Sequence, residues 1–370
     1  MNILPESLIL PPQTRQGKGS AEQLLAHCEA FGQRGYLVCG QSQVRNGNLD
    51  RILANEKVHA QLRVWIYPGD EPTLSHLEEL LSLVREHNPH WIAALGGGSV
   101  LDIAKAAAGL HHAPLPIRSY HDGTPIPPTA TAFIAVPTTA GTGSEATMVS
   151  VLTNEDTGVK KSIRHPSFLA RLVVLDPQLL EACPPPIMAA SGMDALTQAI
   201  ESYCSRGATW LSDTFALKAF TMIYESLEKA CLGNVEVLPQ LLEGSFLAGI
   251  ALSNARLGLV HGLAHPLGAR FHIPHGKVCA VCLPYVLRFN RESIEEKYAV
   301  LIHHTGDDLL TAVEALNKRL GIENPFIGKT LHDPEAFIEE TLASGSTQAN
   351  PKKVTEEDVS RILDELFQES

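Results

Sequence analysis

No basic excess is present in this sequence. Its 41 acidic residues outnumber 29 lysines and arginines, for a formal net charge of −12 at pH 7. Nucleic acid and anionic membrane surfaces both demand a basic face, so neither is an expected partner. No uninterrupted apolar run approaches the roughly 18 residues of a spanning helix, and the start, Met1-Asn-Ile-Leu-Pro-Glu6, lacks the basic n-region of a secretory signal. Cysteines are few and unpaired in number. The seven, at 28, 39, 183, 204, 231, 279 and 282, are scattered as reduced thiols would be, not as a disulfide framework. Cys279-Ala-Val-Cys282 is a lone CxxC inside an apolar run and reads as core packing ahead of redox chemistry. Internal repeats and low-complexity segments are absent. The expectation from these absences is a cytoplasmic protein.

What is present is a globular composition, 44% hydrophobic and 19% charged over 370 residues, enough for two or three domains. Residues 35–40 read as a short buried strand ending at Gly40, and Arg63-Val-Trp-Ile-Tyr-Pro68 as a second. Apolar residues at helical spacing over 74–87 predict a helix. His90-Trp-Ile-Ala-Ala-Leu95 is a third strand running into Gly96-Gly97-Gly98-Ser99, followed by a helix from Val100 to about Leu110. Thr131-Ala-Phe-Ile-Ala-Val136 is a further strand, leading into Pro137-Thr-Thr-Ala-Gly-Thr-Gly-Ser-Glu145. Strands alternating with helices predict an α/β fold, a doubly wound parallel, Rossmann-like sheet. Beyond Pro184-Pro-Pro186 the reading is all-helical: 187–205, 210–231, 237–254, 255–268, 278–289, 293–304, 308–320 and 354–368, with 343–352 loosely structured. The expected division is an NAD(P)-binding domain over 1–180 and an all-helical metal and substrate domain over 181–370.

Gly96, Gly97, Gly98 and Ser99 sit between a strand and a helix, where glycines admit an anion to the backbone and the helix N-terminus favours it. The stretch is neither GxGxxG nor a P-loop. Thr138, Thr139, Thr142 and Ser144 offer hydroxyls on a second loop after another strand, and two such loops are where an open α/β sheet binds its ligand. The first strand ends in Gly40-Gln41-Ser42-Gln43-Val44-Arg45, without the carboxylate that takes an NAD ribose. Ser42 and Arg45 suit a 2′-phosphate, so NADP is favoured over NAD.

The most concentrated chemistry is His261-Gly-Leu-Ala-His265-Pro-Leu-Gly-Ala-Arg-Phe-His272-Ile-Pro-His275, which holds four of the sixteen histidines. His261 and His265 share one helical face. Pro266, Pro274, Gly268 and Gly276 are expected to break regular structure, so that His275 returns from a loop. A metal or catalytic site, a polar helix face and satisfied core histidines all remain open on this stretch alone.

Together these stretches resemble the iron-containing (group III) alcohol dehydrogenase family. The matching runs are Gly96-Gly-Gly-Ser-Val-Leu-Asp102-Ile-Ala-Lys105, Pro137 to Glu145, Gly192-Met-Asp194-Ala-Leu-Thr197, His261-Gly-Leu-Ala-His265-Pro-Leu-Gly268 and His275-Gly276. They keep the family's order from about residue 35 to the C-terminus. Glycerol dehydrogenases, dehydroquinate synthases and maleylacetate reductases, of the same fold, vary the loops. The resemblance implies a dehydroquinate-synthase-like architecture, a homodimer, and hydride transfer between NAD(P) and a small alcohol or carbonyl, with no nucleic-acid or membrane partner. It implies a metal held by an aspartate and three histidines, carried over to Asp194, His261 and His275. The third histidine's place holds Gln198, a weak neutral donor for Fe²⁺ or Zn²⁺. Gln198 coordinating through oxygen, three protein ligands with water, and a site without metal stay as alternatives, as do a dehydroquinate-synthase-type lyase and a metal-free binding protein. By the same resemblance His265 lies near the nicotinamide as a proton relay, and Lys160, in Val159-Lys160-Lys161, points toward the cofactor. Asp102 belongs to the cofactor loop with Gly40, Ser42, Gly96, Gly97, Gly98, Ser99, Thr138, Thr139 and Thr142. The resemblance assigns His272 no role, and it is expected to be structural or pocket-lining.

Overall fold

The structure, a computed structural model, describes residues 5–54, 61–69 and 71–368. Met1–Leu4, the head of the stretch read for a leader, lie outside them. The described chain divides into two compact units. One takes Ile9–Thr139 and Gly143–Cys183, the other the described residues of Met1–Leu8, Ala140–Thr142 and Pro184–Ser370.

The first unit runs β1 (Thr14–Gln16), α1 (Leu24–Cys28), β2 (Gly35–Gly40), α2 (Gln41–Arg45), α3 (Asn48–Leu53), β3 (Leu62–Tyr67) and α4 (Leu74–His87). It continues with β4 (Trp91–Gly96), α5 (Gly98–Leu110), α6 (Ile117–His121), β5 (Ala132–Pro137), β6 (Val149–Asn154), β7 (Val159–Arg164) and β8 (Leu172–Leu175). Six strands form one sheet in the order β1-β8-β5-β4-β2-β3, every pairing parallel. Each residue of β2, β4 and β5 is buried, as parallel strands covered on both faces must be, which is why they read as unbroken apolar runs. The chain moves outward from β2 to β3, then returns to place β4 on the other side of β2. That reversal is a topological switch point, and the strand ends flanking it are Gly40 and Gly96.

Four strands, β1, β6, β7 and β8, are not evident in the sequence. β6 and β7 pair as an antiparallel hairpin, Val149 opposite Arg164 through Asn154 opposite Val159. β1 is three residues long and joins the sheet edge beside β8. Asp176 fixes that edge by accepting the N–H groups of Gly19 (3.1 Å) and Ala21 (3.0 Å).

The helical unit contains α7 (Pro185–Cys204), α8 (Trp210–Cys231), α9 (Leu238–Ala255), α10 (Leu259–Phe271) and α11 (His275–Asn290). Then come α12 (Glu295–Thr305), α13 (Leu309–Arg319), α14 (Pro334–Ala343), α15 (Gly345–Gln348) and α16 (Glu356–Phe367). By length and composition Val235–Ala255 is apolar enough to cross a membrane. In this unit it packs against α7 and α8 instead. The expected break in the histidine stretch occurs only at His272–Pro274, between α10 and α11: Pro266 and Gly268 lie inside α10, Gly276 lies inside α11, and His275 begins α11 rather than sitting in a loop. Pro284 likewise lies inside α11. It cannot donate to Ala280 O, and Asn317 Nδ2 supplies that carbonyl with a 2.7 Å hydrogen bond instead. The stretch read as loose, 343–352, carries α15, and α14 was not anticipated.

In the first unit a cation is buried in α5. Lys105 Nζ donates to Ser144 O (2.6 Å), Ser144 Oγ (2.8 Å), Thr147 Oγ1 (3.1 Å) and Val149 O (2.7 Å), and has Asp102 3.9 Å away. Burial pulls its pKa down to about 8 against the raising effect of Asp102 and Glu145. Asp102 in turn accepts from Ser144 Oγ at 2.5 Å and Val151 N at 2.9 Å. The pair thus pins the end of the second loop and the start of β6 to α5. Lys105→Met removes the cation and leaves a buried carboxylate, at a cost of about 3–5 kcal/mol. A lowered urea midpoint is expected; an unchanged midpoint rejects this role.

Glu145 is buried with Oε1 lacking a hydrogen-bond partner, and burial, with Asp102 nearby, pushes its pKa from 4.5 up to about 7 despite the charge of Lys105. Because the folded pKa is raised, the stabilisation is complete below about pH 4.5 and is lost as pH rises through about 7. The melting temperature of the wild type should therefore fall across that window more steeply than that of Glu145→Gln.

Candidate functional site

Three helices of the helical unit each present two polar side chains one turn apart: Asp194 and Gln198 on α7, His261 and His265 on α10, His275 and Cys279 on α11. A spacing of four puts each pair on one face. Close backbone approach brings the faces together. A Cβ at Gly276 would lie 2.1 Å from the carbonyl oxygen of Ala190, so only glycine lets the start of α11 dock on α7.

His261 Nε2 lies 3.2 Å from Asp194 Oδ1, and His275 Nε2 lies 3.9 Å from the same oxygen. Cys279 Sγ lies 3.5 Å from His275 Nε2 and 3.9 Å from His261 Nε2. All four donor atoms fall within 4.8 Å of one another. Tetrahedral bonds of about 2.0–2.3 Å imply donor separations of roughly 3.3–3.8 Å, so the cluster fits one divalent cation. His265 stacks on His275 with ring centroids 4.8 Å apart and is partly exposed. His272 is exposed, in the left-handed conformation that ends α10.

The electrostatics ask for positive charge at this point. Burial opposes the imidazolium of His261, but Cys279 and the Asp194 and Glu201 carboxylates outweigh it and raise its pKa well above the ordinary value. Burial likewise opposes the Asp194 carboxylate, yet the hydrogen bond from His261, the charges of His275 and His261, and the Gln198 amide hold it below its usual range. The Cys279 thiol is pushed up to about 12 by burial, against the lowering effect of His261. A cation is what such a set of donors lacks.

Glu201, which the sequence reading missed, orients the cluster. It stands seven residues after Asp194, on the same face of α7, and that spacing was the available signal. Its Oε2 accepts the Nδ1 proton of His261 at 2.6 Å, leaving Nε2 toward Asp194. Its Oε1 accepts the Val260 N–H at 2.6 Å, while Asn350 Oδ1 accepts Leu259 N–H at 3.1 Å. Two distant side chains thus cap α10, whose own N-cap is Gly258. A Cβ there would lie 2.8 Å from Glu201 and 3.1 Å from Asn350.

In the α/β unit, Gly40 and Gly96 meet at the switch point: a Cβ on Gly40 would lie 3.9 Å from Gly96 Cα. A Cβ on Gly96 would lie 2.5 Å from Val100 Cβ. Gly97 caps α5, which begins with Gly98 and Ser99 and carries no acid in its first turn. Thr138 N donates to Gly96 O at 3.1 Å, and Thr139 faces Gly97, so the two loops lie side by side. Thr142 clusters with the helical unit. Ser42 is exposed on α2. Lys160 lies on β7 with Nζ on Glu71 Oε2, and its charge also acts on Asp102. Asp102 itself is committed to Ser144 and Val151.

A parallel sheet with glycine loops at its switch point, and a helical unit with a buried carboxylate–imidazole–thiol cluster, are the parts of a metal-linked dehydrogenase. Residues 11–177 match the family described as iron-containing alcohol dehydrogenase, and residues 188–367 its C-terminal domain. The chain is similar to an NADPH-dependent butanol dehydrogenase of Clostridium saccharobutylicum, 33% identical over 97% of both chains. It is also similar to a lactaldehyde reductase of Escherichia coli strain K12, 32% identical over 93% of this chain and 94% of that one. A solved iron-containing alcohol dehydrogenase from Thermococcus thioreducens shares the fold with a TM-score of 0.91 and 30% identity, over 98% of this chain and 99% of that one. The chain belongs to the iron-containing alcohol dehydrogenase family. It is accordingly an NAD(P)-dependent oxidoreductase of alcohols and aldehydes, and the family works with a divalent metal.

Glu201→Gln tests the orienting contact. A glutamine amide facing Nδ1 favours the tautomer with a proton on Nε2, which cannot bind metal. Zn²⁺ affinity should fall roughly 10–100-fold in a chelator-competition titration, with the far-UV CD spectrum unchanged. Equal affinity would show that Glu201 serves only to cap α10.

Proposed function

We propose that the chain is a metal-dependent, NADP-preferring alcohol dehydrogenase and aldehyde reductase for small substrates, active in the cytoplasm as a homodimer. The observation that carries the metal-dependent reading is the buried cluster, with Asp194, His261 and His275 meeting at 3.2–3.9 Å on three helices. In this reading Asp194, His261 and His275, with Gln198 beside them, form the metal site. Gly40, Gly96, Gly97, Gly98 and Ser99, with Thr138, Thr139 and Thr142, line the phosphates, and Asp102 holds the second loop in place. Lys160 supplies positive charge near that loop.

When bound, the metal supplies Lewis-acid polarisation of the alcohol or carbonyl oxygen, and the nicotinamide supplies the hydride chemistry. The chain's residues do the rest. Glu201 keeps the proton on His261 Nδ1 and so keeps Nε2 available. His265, partly exposed and stacked on His275, moves the hydroxyl proton between substrate and solvent through its imidazole. The first turn of α5 has no carboxylate to compete with a pyrophosphate. Ser42 and Arg45 are both exposed on α2, where no acid stands in the first turn, and this supports a 2′-phosphate. Seven free cysteines support a reducing compartment.

A panel of small alcohols and aldehydes with NADPH and NADH tests the whole reading. NADPH should give the higher kcat/KM, chelation should abolish turnover, and divalent metal should restore it. His265→Ala should lower kcat by about 10²–10⁴-fold without changing bound metal. Full activity in the chelated protein would sink the metal-dependent reading, and undiminished kcat in His265→Ala would remove the proton relay.

A further inference from the structure

Gln198 stands at the place where the family resemblance puts a histidine ligand, and the structure gives it another task. Its amide donates to Asp194, and its buried Oε1 has no hydrogen-bond partner. An amide that turns its NH₂ to a ligand carboxylate offers the cluster a nitrogen whose lone pair is delocalised into the carbonyl and cannot coordinate. The donor count is made up elsewhere. Cys279 is fully buried, one turn beyond His275 on the same face of α11, with Sγ 3.5 Å from His275 Nε2 and 3.9 Å from His261 Nε2. Cys282, three residues further on, is not in the cluster. Packing alone explains a buried thiol, but not one aimed at two imidazole nitrogens that both face a carboxylate.

We infer that Cys279 is the fourth protein ligand in place of Gln198, and that a set of one carboxylate, two imidazoles and one thiolate selects Zn²⁺ over Fe²⁺. The inference rests on the metal-site reading of the preceding section and names its fourth donor and its metal. Thiolate is a soft ligand suited to zinc, and mixed sulfur and nitrogen sets in tetrahedral array are characteristic of it. The order of intrinsic affinities also places Zn²⁺ above Fe²⁺. On binding, the thiol and the His261 Nε2 position give up any protons they carry, and no electron moves. Gln198 then acts as a positioning residue for Asp194.

Cobalt substitution tests this without recourse to activity. The full-length protein, stripped of metal and loaded with Co²⁺, should show an intense near-ultraviolet sulfur-to-cobalt charge-transfer band beside the visible d–d bands of a tetrahedral site. Cys279→Ser should lose the charge-transfer band and keep weaker d–d absorption, whereas Cys282→Ser and Gln198→Ala should keep both. Elemental analysis after anaerobic exposure to equal Zn²⁺ and Fe²⁺ should give zinc in excess by at least about tenfold, with the excess reduced in Cys279→Ser. Co²⁺ uptake by the wild type with d–d bands but no charge-transfer band overturns the inference and leaves the metal-site reading intact. No Co²⁺ uptake overturns both. If Cys279→Ser and Cys279→Ala both fail to fold, the wild-type and Cys282→Ser spectra still decide the matter.

Discussion

A charge taken out of water must be met by partners at fixed positions, and each unit of this protein is arranged around such a requirement. In the α/β unit the charge is the Lys105 ammonium, with four oxygens within 3.1 Å. Three of those oxygens belong to Ser144 and Thr147 and the fourth to Val149, so satisfying one cation sets the path from the second glycine loop into β6. In the helical unit the charges are Asp194 and Glu201, separated by two turns of α7 and bridged by His261. Breaking either arrangement leaves an ion stranded in the interior, at several kcal/mol. These contacts are therefore less replaceable than surrounding apolar ones, where a lost methylene costs about 1 kcal/mol.

Much of this was legible in the sequence because buried parallel strands and amphipathic helices have distinct periods. β2, β4 and β5 announced themselves as apolar runs ending in glycine or proline, and α4, α8 and α13 as helical patterns with boundaries within one residue or so. What was missed had weak or misleading local signals. The β6–β7 hairpin alternates Val149, Val151 and Thr153 against Ser150, Leu152 and Asn154, but its polar residues are buried too, which blurs a pattern read from hydrophobicity. β1 is too short for any period. Pro266 and Gly276 mislead as breakers. Proline is tolerated within α10, and Gly276 is there because Ala190 passes within touching distance.

The site was half legible. Asp194, His261 and His275 came from motifs, and the structure does bring them together. Cys279 was read as packing because a CxxC in an apolar run usually is, yet its spacing of four from His275 was a hint that helical geometry alone would have supplied, had that histidine been placed on a helix. Glu201 carries no motif at all. Its role is visible only once α10 is seen to begin at its carboxylate, a long-range fact that local spacing cannot encode. Asp102 shows the converse: a residue in a ligand-binding motif whose two oxygens are engaged by Ser144 and Val151.

The three pairs at spacing four have a consequence for how such a centre changes over generations. Six side chains, two from each of α7, α10 and α11, are turned toward one small volume, and a single cation needs only four donors. The helices are held by contacts elsewhere, among them Gly276 against Ala190 and Glu201 against the start of α10. Donor identity is thereby uncoupled from scaffold geometry. On the inference drawn for Cys279, the residue at 198 on α7 and the residue at 279 on α11 decide which helix supplies the fourth donor, and the backbone need not move to change that choice. The fold keeps spare sockets, and inheritance can rewire them.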